Sequence, residues 1–399
     1  MLSFGLTMLV IAMAASSCTS TVEGRAEPGE VDISTLDVGA YPTGKQRLSP
    51  RLFEDDYKVL EGVRFADAIV TPYEVEPKYS HGLGGKLEMT PEDVDVQLPS
   101  FFQPVLRSHG MIMAFRTAGA DSGLAAGQSF ESGSFEGLSA TIMRFPDEGA
   151  AKAASAEMDA VDFAHNRENV AVTLPDLPEA SAHWRPDVPT LGASVPHGIF
   201  VISVFAGRRS VDLTALTKMV TDYLHAEISA LDTFVPTPVD EFESIEQDPD
   251  GMQVRLLHDD GRSSYVSYQT GVVYTARAFY NFQSDVAGRT RLLSSTGVDR
   301  VAVDRGGFLF RAKDGDAALQ LLRQVTAPSE KEKSSKRTVD PPANVPDTIC
   351  VENTSEDLDN RFNCYVAYRR YVAMVRSEQL LDAHQRAAAQ WAVLANNQS

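Results

Sequence analysis

Histidines, cysteines and short acidic runs carry the side chains that could do chemistry in this chain. The histidines stand singly at His81, His109, His165, His183, His197, His225, His258 and His384, and none has a neighbour at metal-ligand spacing. His109-Gly110 and His197-Gly198 each precede an apolar run, which would set both imidazoles at one sheet edge. Turn capping explains them more simply than a shared site. A hydrolase or transferase would need residues that meet only in the fold, for example His197 with Asp95 and an exposed serine. His384 falls on the apolar stripe of a C-terminal helical segment and reads as a packed, hydrogen-bonded core histidine. HGLGGK (81–86) is the nearest thing to a phosphate loop. It lacks the apolar strand before it and the hydroxyl after Lys86, so it reads as a flexible turn. No G-x-S-x-G, H-E-x-x-H, P-loop or EF-hand pattern occurs.

The acidic runs Glu54-Asp55-Asp56, Glu92-Asp93-Val94-Asp95 and Asp248-Pro249-Asp250-Gly251 invite a calcium reading. Calcium wants roughly six to eight oxygens converging from a shaped loop, and these runs lack the spacing, so they read as solvated surface. Tyr365, Tyr368 and Tyr371 recur three apart. Strand alternation places Tyr365 and Tyr371 on one face and Tyr368 on the other, and packing explains them. The residues therefore assign no catalytic, cofactor-binding or metal position.

The cysteines are more informative. An apolar run over Leu2–Ala15 shifts to Ala14-Ala15-Ser16-Ser17 before Cys18. The run has a signal-peptide profile and is too short to cross a bilayer as a stable helix. Small residues before a cysteine are similar to a bacterial lipobox, in which Cys18 is acylated and becomes the mature N-terminus. Ala15 stands where leucine is usual. No Lys or Arg precedes the apolar run, so Met1 reads as an internal start. Two acyl chains give stable membrane anchoring where one does not. Cys350 and Cys364 then remain as an even pair in an exported protein and are expected to form a disulfide. It would close a loop of about fifteen residues, worth ~3 kcal/mol in the chain-entropy model.

Net charge is −19 over 399 residues, with 43% hydrophobic and 8% aromatic content. That acidity argues against nucleic acid and against anionic lipid surfaces. The composition supports sizeable cores, and the length suits two domains.

Composition and pattern divide the chain into five segments. A signal segment (1–17) and a lipid-anchored tether (18–34) precede an N-terminal α+β domain (35–232). A Pro-bearing linker (233–240) leads to a C-terminal α+β domain (241–399) with a mobile loop at 326–346. Helices are expected over 50–68, 149–161, 211–231, 315–325 and 378–394. Strands are expected at 111–115, 138–145, 170–174, 199–205, 252–257, 265–268, 272–278, 301–303 and 308–310, with one closing strand through 364–375. Arg144-Phe-Pro-Asp147 precedes a helix with alanines at 150 and 151, and Arg311-Ala-Lys-Asp314 precedes one with alanines at 317 and 318. A second strand-then-helix follows in each half. The shared order predicts two related helix-on-sheet domains, each ferredoxin-like in element order.

LDVGAYPT (36–43), LFEDDYKVLEGVRFADAIVTPYEVEP (52–77), CYVAYRRYVAMV (364–375) and LLDAHQRAAAQWAVLA (380–395), together with the lipobox, resemble a family of actinobacterial lipoproteins of unknown function, found in nocardia and rhodococci. The resemblance implies an envelope lipoprotein of two related domains and no particular activity. The leading expectation is a non-enzymatic binding module at the outer face of the cytoplasmic membrane. Its partner would be an envelope protein or an apolar small molecule. The alternatives are the hydrolase or transferase above, and binding of haem or another apolar ligand on a ferredoxin-like sheet.

Overall fold

The structure, a computed structural model, describes residues 31–50, 54–94, 98–123, 129–328, 332–354 and 361–397. The signal segment, Cys18, most of the tether, Asp95 and residues 329–331 of the 326–346 loop lie outside the described residues. Residues 33–399 form one compact unit.

Its N-terminal half opens with α1 (Glu54–Phe65), α2 (Pro72–Val75), the short strands β1 (His81–Gly82) and β2 (Lys86–Glu88), and α3 (Gln103–Ser108). The hairpin β3 (Met113–Ala120) and β4 (Gly137–Arg144) leads into α4 (Glu148–His165). Two edge strands, β5 (Val170–Ala171) and β6 (Ser181–Trp184), come before a second hairpin, β7 (Thr190–His197) and β8 (Phe200–Gly207), and then α5 (Leu213–Leu231). The sheet order is β1-β3-β4-β8-β7-β6-β5, with β2 also on β3, and every pair is antiparallel.

The C-terminal half contains β9 (Val272–Thr275), α6 (Ala276–Tyr280) and α7 (Val286–Ser295), then the hairpin β10 (Arg300–Asp304) and β11 (Gly307–Arg311) and the helix α8 (Gly315–Thr326). After β12 (Lys336–Val339) and β13 (Thr348–Asn353) come the hairpin β14 (Phe362–Tyr368) and β15 (Tyr371–Ser377) and the last helix, α9 (Leu380–Ala395). The sheet order is β12-β13-β14-β15-β11-β10-β9.

The central four strands of both sheets thus follow one plan: hairpin, helix, hairpin, helix, with the second hairpin inserted in reverse beside the first. This is the ferredoxin-like cyclic order begun one strand earlier. The helices differ from a one-sided layer, because alternation along the strands gives each sheet two apolar faces. Phe115, Ile142 and Ile202 align in register and pack with Leu216, Val220 and Leu224 of α5. Ala114, Met143 and Val201 point the other way and pack with Ala151, Ala154 and Met158 of α4. In the second sheet Val301, Phe310 and Val372 meet Ala318, Leu321 and Leu322 of α8, and Ala302, Leu309 and Ala373 meet Leu394 of α9.

The duplicated Arg-x-x-Asp positions are structurally equivalent. Arg144 ends β4 opposite Met113 and Phe200, and Arg311 ends β11 opposite Arg300 and Tyr371. Three residues on, Asp147 accepts from Ala150 N at 2.8 Å and Asp314 from Ala317 N at 2.8 Å, each as an N-cap.

Several sequence expectations are corrected. Met252–Leu257 is not a strand but lies among short 3-10 turns (Pro249–Gly251 and Gln253–Arg255). Its apolar residues pack inward while Gln253 Nε2 donates to Val272 O and Val303 O at 2.8 and 3.0 Å. Tyr265–Tyr268 forms no ladder beyond an isolated bridge at Ser267. The strand at 272–278 stops at Thr275, whose hydroxyl accepts from Ala278 N and starts α6. The stretch 364–375 is a hairpin rather than one strand. Its turn falls on Arg369, at φ 50°, and Arg370, so Tyr368 and Tyr371 are cross-strand partners. Within the 326–346 loop, Lys336–Val339 pairs with β13.

One apolar core runs through both sheets and the α1 region between them, joining Phe65, Ile69 and Phe115 to Val272, Tyr274 and Phe279. The stretch before α1 lies on the C-terminal half: Tyr41 Oη donates to Asp382 Oδ1 at 2.6 Å, and Gln46 N to Val254 O at 3.1 Å.

Candidate functional site

Between the sheets lies a cleft of about 750 Å³. Leu60 and Val63 from α1, Phe234, Val235 and Ile245 from the connector after α5, and Val273 from β9 supply its apolar walls. α1 forms here because Glu54, Asp55 and Asp56 occupy its first turn, where the helix dipole favours acids. That acidic run is therefore a helix start.

Of the charged residues lining the cleft, Arg64, Asp67 and Arg300 are engaged with protein partners, while Glu246 is exposed at its edge. Glu61 is fully buried and takes Arg144 Nη1 at 2.8 Å, Thr237 N at 2.9 Å and Arg64 Nη1. Burial lowers the Arg144 pKa below the usual arginine value, and the adjacent Glu61 carboxylate opposes that shift. Arg64 also reaches Thr237 Oγ1 and donates to Val235 O at 3.2 Å. Asp67 accepts from Thr275 Oγ1, and Arg300 donates to Asp250 Oδ2 at 2.9 Å. Asp250 also takes Arg311 at 3.1 Å, and both arginines hold its carboxyl below the ordinary range. The connector is therefore held at both ends by the equivalent arginines, Arg144 Nη2 donating to Thr237 O at 2.5 Å and Arg311 to Asp250.

The sequence-predicted positions separate. His109 and His197 do lie at the same end of the first sheet, but they pair with Glu157 on α4 at 2.7 Å and with Asp232 beyond α5 at 2.8 Å. These helices cover opposite faces, so the imidazoles form no shared site. His384 is half-buried rather than in the core, and its Nε2 meets Asp340 O at 2.7 Å. In HGLGGK the glycines serve close packing: a Cβ at Gly82 would stand 2.0 Å from Gln283 O, and one at Gly85 2.6 Å from Asn281 O. Of Asp248 and Asp250, both expected on the solvated surface, Asp250 is exposed and ion-paired, whereas Asp248 is structural. Asp248 is buried and accepts from Gln253 N at 2.6 Å. Asp93 takes Met89 N and Thr90 N at 3.0 and 2.9 Å. Among the described residues no group of three His, Cys, Asp or Glu side chains could hold a metal. In each domain helices pack on both faces of the sheet, so neither face is wholly open.

Two arrangements were invisible in the sequence. Asp304 accepts from Ser264 Oγ at 2.6 Å and Ser264 N at 3.0 Å and lies 3.5 Å from His258 Nδ1, while His258 Nε2 meets Gln253 O at 2.9 Å. The carboxylate stands between serine and imidazole, so the histidine cannot take the serine proton, and the order is not that of a nucleophilic triad. Ser80 Oγ lies 3.3 Å from His81 Nδ1, a contact between chain neighbours. The second arrangement surrounds His183, whose Nε2 lies 3.2 Å from Asp162 Oδ2. Cys350 and Cys364 face each other on β13 and β14 and are joined by a disulfide, with Cα atoms 4.1 Å apart.

Comparison with curated proteins finds no match. Among solved structures, the extracellular domain of PknH from Mycobacterium tuberculosis is similar at a TM-score of 0.26 and 12% identity, over 40% of this chain and 92% of that one. A likeness that loose carries no argument. Family models are decisive: the N-terminal domain of unknown function DUF7373 matches residues 53–247, and its C-terminal counterpart matches 252–397. Together they span both sheets, and the chain belongs to the DUF7373 family.

Proposed function

We propose that this protein is an exported lipoprotein, held at the outer face of the cytoplasmic membrane by acyl chains on Cys18, that binds an apolar small molecule in the inter-sheet cleft. The observation that carries the export reading is the fully buried Cys350–Cys364 disulfide. Such bonds form and persist in oxidising compartments. Small residues before Cys18 support the anchor. The ligand class is supported by the walls: Arg64, Asp67 and Arg300 are bound to protein partners and Glu246 is exposed at the edge, so Leu60, Val63, Phe234, Ile245 and Val273 offer the main contact surface. Cavities of this size are typical of small-molecule sites.

The test is intact mass spectrometry of the full chain purified from native membranes without reductant, with organic extraction of the same sample. The expected result is an acylated N-terminus at Cys18, Cys350 and Cys364 two hydrogens lighter than free thiols, and an extracted apolar compound. Unmodified Cys18 with free thiols overturns the export reading. A clean extract, with no compound that rebinds, overturns the ligand reading.

A further inference from the structure

A second cavity, of about 610 Å³, lies on the α4 side of the first sheet, away from the inter-sheet cleft. Its floor is a row of hydroxyls. Ser181, Ser194 and Ser203 stand directly opposite one another on β6, β7 and β8, so their side chains emerge on one face. Among the described residues the three hydroxyls bond to no protein group. On one wall α4 presents Asp159 and Asp162, with His183 from β6 against them. His183 Nε2 is 3.2 Å from Asp162 Oδ2; Nδ1 is 3.9 Å from Asp159 Oδ1 and has no hydrogen-bond partner among the described residues. His183 stands opposite Gly192, where no side chain fills the floor. Aromatic surface comes from Phe205 and from Phe101, which stacks on His165 at 4.6 Å.

From this set we propose that the cavity binds a saccharide, as a neutral ring bearing several hydroxyls. A sugar hydroxyl both donates and accepts, so it can donate to the Asp159 or Asp162 carboxylate while accepting from a serine. The apolar C–H face of the ring suits the aromatic surface. An apolar ligand would leave the serine row desolvated and unpaired, which is costly. An anion would meet the two carboxylates. An ammonium group would satisfy the aspartates and leave the serines unused. Among the described residues no metal cluster competes for the same oxygens. The site is independent of the cleft ligand and of the anchor.

Isothermal titration calorimetry of the full-length protein, in a detergent without a sugar headgroup, tests this with glucose, mannose, galactose and arabinose as probes. At least one should bind saturably. Ser194→Val with Ser203→Val removes two hydroxyls while keeping strand-forming residues, and should weaken that binding at least about tenfold. Asp162→Asn, at a position about one-third exposed, should do the same without burdening the fold. Saturable binding by none of the four sugars overturns the proposal. So does binding that is unaltered in both the serine and Asp162 variants while circular dichroism shows them folded.

Discussion

Glu227 on α5 is fully buried, accepts from Val70 N at 2.9 Å and Tyr223 Oη at 3.2 Å, and leaves Oε1 without a partner among the described residues. Burial pushes its carboxyl up from 4.5 to about 8. Below pH 4.5 the folded and unfolded chains both hold this proton. Between 4.5 and about 8 only the folded chain keeps it, so this group's effect on stability worsens as pH rises and then levels off. The full span is on the order of 3–5 kcal/mol. Urea midpoints should fall between pH 5 and pH 8, and Glu227→Gln should flatten that slope. The buried Glu61–Arg144 pair predicts a different loss. Arg144→Met removes the better-buried partner of a fully buried carboxylate, and chemical denaturation should show about 3–5 kcal/mol of destabilisation. Legibility at this scale depended on locality. Cysteine parity announced Cys350 and Cys364, whereas Ser181, Ser194 and Ser203 become a row only through strand register, which residue types do not encode.

Among the elements, the two Arg-x-x-Asp turns make the duplication measurable. Because Asp147 and Asp314 cap α4 and α8 with the same 2.8 Å bond, Asp147→Ala and Asp314→Ala should each cost about 1 kcal/mol, read as matching shifts in thermal unfolding. This repeat was readable because caps are local signals, as was the stripe of Leu216, Val220 and Leu224 that buries α5. The β14–β15 hairpin was not readable. Its turn uses two arginines, one in the left-handed region, where glycine or asparagine would have marked it. The 3-10 turns near Met252 were missed for another reason: their alternating apolar residues mimic a strand, and the deciding contact of Gln253 with two strand carbonyls is long-range.

At the scale of the whole molecule, the two family domains share one apolar core. Separating them would expose Phe65, Ile69, Tyr274 and Phe279 together. Differential scanning calorimetry of the full chain should therefore give a single cooperative transition over residues 33–399, and two resolved transitions would show that the shared core does not couple the halves. The two-sheet plan was visible in the repeated order of elements. The shared core was not, because linker composition suggests a free joint. The connector instead ends on the paired guanidinium groups of Arg144 and Arg311, which leaves the cleft walls no slack hinge. An apolar molecule bound in the cleft as proposed would therefore meet walls fixed at both ends of the connector. Its residence time is then expected to follow the apolar contact it makes with those walls rather than the opening of a hinged connector.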